Sequence, residues 1–436
     1  MNNLVKEFQK RIYKKQVKIA VVGLGYVGLP LAIEFAKCGF VVLGIEIDKD
    51  RLSHIRRKES YITDVPNKEL RKVLALGRFS ATADFDNLKT VGVIIICVPT
   101  PLKRKYHPNI SYIVQAVKSI SKNIKKGTLI ILESTTYPGT TEDVILPLLE
   151  KNNLKHNRDF YLCFSPERID PGNKNYPVHK IPKIVGGITK EATDLGAAVY
   201  KNIIDEVVSV SSARTAEAAK LLENTFRLIN IGLIDELAMM AHKMKIDIWE
   251  VIEAAKTKPF GFMPFYPGPG VGGHCIPKDP LYLYWKAKHF GFHSRFIKLA
   301  SDIINFMPEY VVERVEEVLK EKNIGLKKAK ILIVGVTYKK DIKDLRKSPS
   351  IDIIDILQKR NIKVSYFDPL IPYLKVNHIN LKSVELNKNN LNKFDCIVIA
   401  TDHSKVDYDF ILKHSKLIFD TRNVYRGNKN KKVVML

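Results

Sequence analysis

A segment rich in glycine and proline, residues 268–280 (GPGVGGHCIPKDP), carries side chains that could do chemistry. Its four glycines and three prolines exclude a regular helix or a central strand. Cys275 lies in this loop beside His274, Lys278 and Asp279. A nearby cation lowers the pKa of a thiol from about 8.5 and favours the nucleophilic thiolate. The pattern predicts a reactive cysteine, with a structural cysteine in a tight loop as the alternative.

A glycine pattern near the start of the chain predicts a dinucleotide site. Residues 17–48 have the pattern of a strand, a tight turn, a helix and a second strand, and Gly23, Gly25 and Gly28 form G-x-G-x-x-G at the turn. The first glycine permits the turn, the second leaves room for pyrophosphate, and the third lets the helix pack on the strand. Glu46 ends the second strand, where a carboxylate accepts hydrogen bonds from ribose hydroxyls and repels a 2′-phosphate. This arrangement favours NAD over NADP.

Other residues extend the predicted cofactor site. Thr100 and Thr135 each follow a buried strand, at the edge of the sheet where such folds bind ligands, although each could instead only stabilise a turn. The positive charges of Lys49 and Arg51 keep NADP as an alternative. The predicted cofactor-binding residues are Gly23, Gly25, Tyr26, Val27, Gly28, Glu46, Arg51, Thr100 and Thr135.

A reactive cysteine combined with NAD suits one type of reaction. The thiolate traps an aldehyde as a thiohemiacetal, which loses a second hydride and becomes a thioester. Water then releases an acid and restores the thiol. The two predicted sites together therefore indicate a dehydrogenase that carries an alcohol through to a carboxylate.

Two polar residues, Lys220 and Asn224, interrupt a helix that is otherwise largely apolar. They are four residues apart and so lie on one face of the helix. They could form a polar pair directed into a cleft. Alternatively, Lys220 could extend along the helix to reach solvent.

The spacing of apolar residues predicts an α/β fold. Candidate strands occur at residues 17–22, 41–47, 93–98, 128–132 and 161–164, with helices between them. Residues 213–255 instead have apolar positions at helical spacing, and a second α/β pattern without a glycine turn begins at Lys330. We predict two Rossmann-like doubly wound domains joined by a long-helix central region, with bounds at 1–207, 208–310 and 311–436.

Composition argues against several classes of partner. The net charge of +25 comes from lysines spread along the chain without a basic and aromatic stripe, so no nucleic-acid partner is expected. The five cysteines are widely separated, without zinc spacing, which predicts reduced thiols in a cytoplasmic protein and no metal site. All but Cys275 have apolar neighbours and are expected in the core. No apolar run reaches membrane length, and residues 1–16 are predicted to be a polar, basic extension.

Several motifs, in fixed order, resemble those of the nucleotide-sugar 6-dehydrogenases, the family of UDP-glucose, UDP-N-acetylhexosamine and GDP-mannose dehydrogenases. The resemblance covers nearly the whole chain. The matching segments are VGLGYVGLPLA, GIEID, CVPTPL, ESTTYPGTT, FSPERIDPG, EAAKLLENTFRLINIGLIDELA, GPGVGGHCIPKDP, GVTYKKDIKDLRKSPS, ATDHS and FDTRNV.

The resemblance implies a role for each matching residue. Cys275 would be the thiol nucleophile, Asp279 would assist hydrolysis of the thioester, and Lys220 and Asn224 would stabilise the oxyanion and hold the attacking water. Thr135 and Glu167 would organise water and proton transfer. The implied substrate-binding residues are Glu167, Arg168, Lys220, Asn224, Gly272, Lys339 and Arg346. The helix after residue 213 would form the core of a homodimer, residues 1–207 would bind NAD, and residues 311–436 would bind the UDP-sugar.

The resemblance also indicates a substrate. The segments SPERIDPG, GGHC and TKPFGFMPFYPGPG are similar to the UDP-N-acetylglucosamine branch, with Arg168 expected near the N-acetyl group. UDP-N-acetylgalactosamine, UDP-N-acetylmannosamine and UDP-glucose are alternatives. The expected reaction is a four-electron oxidation at C6 for surface polysaccharide or glycan precursor synthesis. Its rivals are a two-electron dehydrogenase and a non-catalytic, NAD-sensing protein that binds nucleic acid.

Overall fold

The computed structural model describes residues 3–62, 64–103, 107–151, 153–168, 176–428 and 430–436. The chain forms two compact units. The first comprises residues 1–223 and 281–292, and the second comprises residues 224–280 and 293–436. The long helix α8 (Ala213–Met244) and the helix α10 (Asp279–Lys288) each contribute residues to both units.

The described part of the first unit contains an eight-stranded sheet in the order β3-β2-β1-β4-β5-β6-β7-β8. Neighbouring strands are parallel except β6 and β7, which are antiparallel. The strands are β1 (Ile19–Val22), β2 (Val42–Ile45), β3 (Phe79–Thr82), β4 (Val93–Ile96), β5 (Thr128–Leu132), β6 (Phe160–Phe164), β7 (Lys183–Gly187) and β8 (Val207–Val210). The helices are α1 (Asn3–Tyr13), α2 (Gly28–Cys38), α3 (Lys49–Arg56), α4 (Asn67–Ala75), α5 (Ser111–Asn123), α6 (Leu146–Glu150) and α7 (Lys190–Tyr200).

The central strands of this sheet are completely buried because helices cover both faces. Strands β1, β4 and β5 have the sequences IAVV, VIII and TLIIL, the continuous apolar runs expected of a buried parallel sheet. Sequence analysis identified β1, β2, β4, β5 and β6, and each predicted end lies within two residues of the observed end. It missed β3 and β8, which are the partly exposed edge strands of the sheet, and also β7.

The N-terminal segment is more than the predicted polar extension. Residues Asn3–Tyr13 form the amphipathic helix α1, whose apolar side chains Val5, Phe8 and Ile12 are buried. This helix packs against α7 and belongs to the core of the first unit. The prediction considered only the polar and basic residues of this segment and overlooked the three apolar ones at helical spacing.

The second unit contains a five-stranded parallel sheet in the order β10-β9-β13-β14-β15, and an antiparallel hairpin of β11 and β12. The strands are β9 (Lys330–Val334), β10 (Lys363–Phe367), β11 (Tyr373–Val376), β12 (Ile379–Lys382), β13 (Cys396–Ile399), β14 (Ile418–Asp420) and β15 (Val433–Met435). The helices are α9 (Ile248–Ala255), α11 (Arg295–Glu321), α12 (Pro349–Lys359), α13 (Lys388–Leu391) and α14 (Tyr408–His414). The predicted fold class, two Rossmann-like domains with a long central helix, is confirmed.

None of the helices in the described ranges is long and apolar enough to cross a bilayer. Of the five cysteines, Cys97, Cys163 and Cys396 are buried, Cys38 is partly buried and Cys275 is exposed. The contrast that the sequence predicted between Cys275 and the other thiols therefore holds.

Candidate active site

The glycine turn between β1 and α2 has the geometry of a pyrophosphate site. Gly23 has a φ of +90°, and a Cβ there would lie 2.8 Å from the carbonyl oxygen of Cys97. A Cβ on Gly28 would lie 1.8 Å from the Gly23 carbonyl oxygen, so this glycine allows α2 to pack on the turn. A Cβ on Gly25 would meet only Arg51, at 3.8 Å. The open space is therefore at the second glycine, where pyrophosphate would approach.

Glu46 is fixed at the end of β2 by four N–H donors. Its Oε1 accepts hydrogen bonds from the backbone of Ile47 and Asp48, at 2.9 and 3.1 Å. Its Oε2 accepts from the backbone of Leu24 at 2.9 Å and from Arg51 Nη1 at 3.1 Å. A carboxylate has about four acceptor positions, so ribose hydroxyls would displace the side chain of Arg51, the one donor that is free to move.

The three residues with hydroxyl groups that follow β5 differ in their hydrogen bonds. Ser134 and Thr136 donate or share hydrogen bonds inside the first unit, Ser134 with the Val98 carbonyl at 2.8 Å and Thr136 with Thr140 at 2.7 Å. Thr135 is partly exposed, and its hydroxyl bonds to no described residue. Within the described ranges, the Thr135 hydroxyl therefore does not cap a turn or a helix.

The helix α8 presents the predicted polar pair. Both side chains are buried, with 8% of Lys220 and 4% of Asn224 exposed, so Lys220 does not extend to solvent. Lys220 makes no ion pair with any carboxylate that the structure describes. Asn224 Nδ2 donates a 2.7 Å hydrogen bond to Asp279 Oδ2. A buried ammonium without a carboxylate partner is suited to stabilising an anion on a substrate.

The glycine-rich loop leads directly into α10. The carbonyl oxygen of Cys275 accepts hydrogen bonds from the backbone of Lys278 at 3.0 Å and of Asp279 at 2.8 Å. Cys275 is exposed, whereas Lys278 and Asp279 are buried. Lys278 Nζ lies 3.6 Å from Asp279 Oδ1 and 3.2 Å from His274 Nδ1. The turn therefore holds an accessible thiol beside a buried pair of opposite charges.

The packing of this loop lowers the pKa values of two of its side chains, Lys278 and His274. Removal of water lowers the pKa of Lys278, against the opposing charges of Asp279 and Cys275. The pKa of His274 is lowered to about 4, first by removal of water around the ring and then by the positive charges of Lys278 and Arg346. His274 is consequently neutral at physiological pH. Lys278 supplies the positive charge that attracts the thiolate form of Cys275.

The back of the loop packs against the segment that follows β9. A Cβ on Gly272 would lie 2.5 Å from Tyr338 Cβ, and a Cβ on Gly273, whose φ is +87°, would lie 2.8 Å from the Tyr338 ring. The backbone N–H of Gly273 donates a 2.8 Å hydrogen bond to the carbonyl of Arg346. Gly273 therefore lies directly against the ring of Tyr338.

The remaining predicted substrate residues divide between the two units. In the second unit, Arg346 forms a bidentate ion pair with Asp344, and its charge acts on His274 and Lys278. Lys339 lies in the same segment, where its carbonyl accepts a 3.0 Å hydrogen bond from Thr337. In the first unit, Arg168 pairs with Glu223 at 2.8 Å.

Three residues near Glu167 were missed by sequence analysis. Lys183 lies 3.7 Å from Glu167 Oε2 and also pairs with Glu133, to which Tyr200 donates a hydrogen bond. The available signal was a charged residue directly beside an apolar strand, Glu133 after TLIIL and Lys183 before IVGG. That signal is weak because many strands end in a charged residue on the surface.

Comparison with known proteins defines the class. Residues 17–204, 214–305 and 332–427 match, in order, the NAD binding, central and UDP binding domains of the UDP-glucose/GDP-mannose dehydrogenase family. The chain belongs to this family. It is an NAD-dependent UDP-sugar 6-dehydrogenase, and the residues of the glycine turn and Glu46 fit the cofactor.

Individual relatives differ in the sugar that their names specify. The chain is 40% identical to a UDP-N-acetyl-D-glucosamine 6-dehydrogenase from Pseudomonas aeruginosa, over 90% of this chain and 92% of the relative. It is 36% identical to a UDP-N-acetyl-D-mannosamine dehydrogenase from Pyrococcus horikoshii, over 94% and 96%. A solved structure of a UDP-D-ManNAc dehydrogenase from Pyrococcus horikoshii superimposes with a TM-score of 0.87 at 34% identity, covering 96% of this chain and 98% of that one.

Proposed function

We propose that the protein oxidises the C6 alcohol of UDP-N-acetyl-D-glucosamine to the carboxylate of UDP-N-acetyl-D-glucosaminuronic acid, through a thioester on Cys275. The observation that carries this proposal is the exposed Cys275 thiol beside the buried Lys278 and Asp279. A two-electron alcohol dehydrogenase needs no such nucleophile. The reaction consumes one alcohol, one water and two NAD, and it yields one acid, two NADH and two protons.

Each predicted catalytic residue has a step in this scheme. Two NAD molecules, bound one after the other, would each supply the acceptor for one hydride. The Cys275 thiolate adds to the aldehyde carbon and forms a C–S bond, and the Lys220 ammonium stabilises the negative oxygen that results. Loss of the second hydride leaves the thioester. Water then attacks its carbonyl, Asp279 takes a proton from that water, and the C–S bond breaks to release the acid and the Cys275 thiolate.

Thr135 and Glu167 support the first oxidation in the same scheme. The Thr135 hydroxyl, which bonds to no described residue, holds a water beside the substrate alcohol. Glu167 accepts the alcohol proton through that water. Asn224, oriented by its hydrogen bond to Asp279, holds the water that later attacks the thioester.

The choice of N-acetylglucosamine is supported by the segments SPERIDPG and GGHC and by the 40% identity to the Pseudomonas aeruginosa relative. We assign Arg168, held by Glu223, to recognition of the N-acetyl group. UDP-N-acetylmannosamine is the second candidate, because the Pyrococcus horikoshii relative and its structure carry that name. UDP-N-acetylgalactosamine and UDP-glucose are less favoured.

We further propose a cytoplasmic homodimer with domain bounds at 1–207, 208–310 and 311–436. The dimer would use α8, on which an exposed apolar stripe runs at helical spacing through Leu222, Phe226, Leu233, Met240 and Met244. The product would serve surface polysaccharide or glycan precursor synthesis. No nucleic-acid partner is proposed.

NADH absorbance tests the reaction and the substrate together. The purified protein is given UDP-glucose, UDP-GlcNAc, UDP-GalNAc, UDP-ManNAc and GDP-mannose in turn, and NADH formed per sugar consumed is counted. We expect a ratio of two with UDP-GlcNAc. A ratio of one would overturn the four-electron proposal, and a higher kcat/KM with UDP-ManNAc would overturn the substrate assignment.

A Cys275→Ser variant tests the thioester. Serine is a much weaker nucleophile at neutral pH, so the variant should stall before acid release. Cys38→Ser is the matched control, since Cys38 is a partly buried thiol bonded to the carbonyl of Asn202, and it should retain wild-type turnover. Acid formation by Cys275→Ser at the wild-type rate would exclude the thioester.

A further inference from the structure

A buried cluster of charged and hydroxyl side chains lies beside Glu167 in the first unit. Lys183, the first residue of β7, pairs with Glu133, which follows β5, and its Nζ lies 3.7 Å from Glu167 Oε2. The Tyr200 hydroxyl, at the end of α7, donates a 2.6 Å hydrogen bond to Glu133 Oε2. Glu133, Lys183 and Tyr200 are buried, whereas 14% of the Glu167 side chain is exposed. Of these four residues, Glu167 is therefore the one that a ligand can reach.

Two carboxylates share one ammonium in this cluster. Burial raises the pKa of Glu133 above its ordinary value, with the charge of Glu167 adding to the increase and the Lys183 ammonium and the Tyr200 hydroxyl opposing it. Burial alone would lower the pKa of Lys183, yet the charges of Glu133 and Glu167 raise it above its ordinary value. Lys183 therefore stays charged, and its charge is divided between the two carboxylates.

Arg168, the residue after Glu167, is also charged, but its guanidinium pairs with Glu223 and donates to the Pro182 carbonyl. The thiols and the phenol next to the cluster are neutral. Cys97, at the end of β4, and Cys163, in β6, have pKa values raised by burial and stay protonated thiols. The Tyr200 ring lies 5.0 Å from the Lys183 ammonium, and burial also raises the pKa of its hydroxyl. Within the cluster itself, the charged groups are thus Glu133, Lys183 and Glu167.

We propose that Lys183, Glu133 and Tyr200 are positioning residues that set the protonation of Glu167 through the shared Lys183 ammonium. The inference rests on the proposed function, because it assigns Glu167 a proton-accepting role. If Glu133 loses its negative charge, the Lys183 ammonium interacts with Glu167 alone and stabilises the ionised form of Glu167. Loss of the ammonium favours the protonated form, which cannot accept a proton.

Two variants should move the pH profile of kcat in opposite directions. With the UDP-sugar that the wild type oxidises, Lys183→Met should move the acid limb about one pH unit upward, so that kcat falls by up to roughly tenfold at pH values below the midpoint of the limb. Glu133→Gln should move the acid limb downward by a similar amount. A purely structural role would lower activity in both variants without opposite displacements.

Conservative variants keep the test valid if one of these proteins folds poorly. Lys183→Arg retains the charge and should recover most of kcat. Tyr200→Phe removes only the hydroxyl that stabilises the ionised Glu133, so the acid limb should move downward by less than in Glu133→Gln. Tyr366→Phe is the matched control, because this buried hydroxyl donates to the Ile371 carbonyl in the other unit. It should leave the acid limb in place.

The outcomes separate this inference from the proposed function. Acid limbs that stay at the wild-type position in all variants, or that move in the same direction in Lys183→Met and Glu133→Gln, would overturn the role of the cluster. The ratio of NADH to sugar in the wild type is measured separately. A ratio of one would contradict the four-electron reaction, while opposite displacements of the limb would still support control of Glu167 by Lys183.

Discussion

The side-chain amide of Asn224 donates a 2.7 Å hydrogen bond to Asp279, and both side chains are almost completely buried. This bond connects α8 with the first residue of α10, four residues after Cys275. It also fixes the orientation of the Asn224 amide, whose oxygen can then accept a hydrogen bond from a water molecule. A carboxylate and an amide held together in this way can position and deprotonate the water that hydrolyses a thioester.

Replacing Asp279 by asparagine should separate oxidation from hydrolysis. The variant should release a burst of two NADH per active site and then turn over at least about 100-fold more slowly, because no base activates the water. Rapid-mixing absorbance measures the burst, and mass spectrometry detects the sugar acyl group on Cys275. Asn230→Ala, on the helix that carries Asn224, is the control and should behave as the wild type. Steady turnover without a burst would contradict the role of Asp279.

Gly273→Ala should displace the loop that carries Cys275. The added Cβ would meet the Tyr338 ring at 2.8 Å, and a φ of +87° is unfavourable for alanine. We expect loss of turnover and an altered rate of alkylation of Cys275 by iodoacetamide. Gly427→Ala is the matched control, because Gly427 has a φ of +73° with no atom within 4 Å of the added Cβ.

A second substitution tests whether the Tyr338 ring causes the effect of Gly273→Ala. Adding Tyr338→Ala removes the clashing ring atoms and should bring the alkylation rate of Cys275 back toward that of the Tyr338→Ala single variant. If the double variant is as impaired as Gly273→Ala, the backbone conformation alone accounts for the loss.

Glu46→Ala should weaken the preference for NAD over NADP. The variant loses the carboxylate that would bind the ribose hydroxyls, so the KM for NAD should rise roughly 10- to 100-fold. Arg51, released from its 3.1 Å ion pair, can then approach a 2′-phosphate. Steady-state kinetics with both cofactors measures the ratio, and Glu46→Ala with Arg51→Ala should lose the gain for NADP. Glu34→Ala, on the surface of α2, is the control.

Asp235→Asn should change the pH dependence of stability. Asp235 is buried in α8, accepts a 3.1 Å hydrogen bond from the backbone of Gly268, and has a pKa raised by burial to about 8. The folded state thus holds a proton that the unfolded state releases near pH 4, so this contribution to stability is lost as pH rises through about 8. The Tm of the wild type should therefore fall as pH rises from 5 to 9, and the Tm of the variant should fall by roughly a few degrees less. Equal changes in Tm for both proteins would contradict the assignment.

Local sequence patterns determined the class of this protein and most of its fold. A continuous run of β-branched residues indicates a strand that is buried on both faces. The spacing of Gly23, Gly25 and Gly28 specifies a turn within six residues. Both signals need no knowledge of distant residues. The exposure of Cys275, in contrast to the buried Cys97 and Cys163, was predictable for the same reason, from its immediate neighbours.

Only the tertiary structure decided which distant side chains share their charges. Lys183 and Glu133 are 50 residues apart in the chain, and Tyr200 and Glu133 are 67 apart, so they meet only when β5, β7 and α7 pack together. The contact between Gly273 and Tyr338 likewise joins two segments that are distant in the chain, and no local sequence pattern predicts it. Sequence fixes which residues can do chemistry, but the pKa of a buried group depends on neighbours that folding brings from elsewhere in the chain.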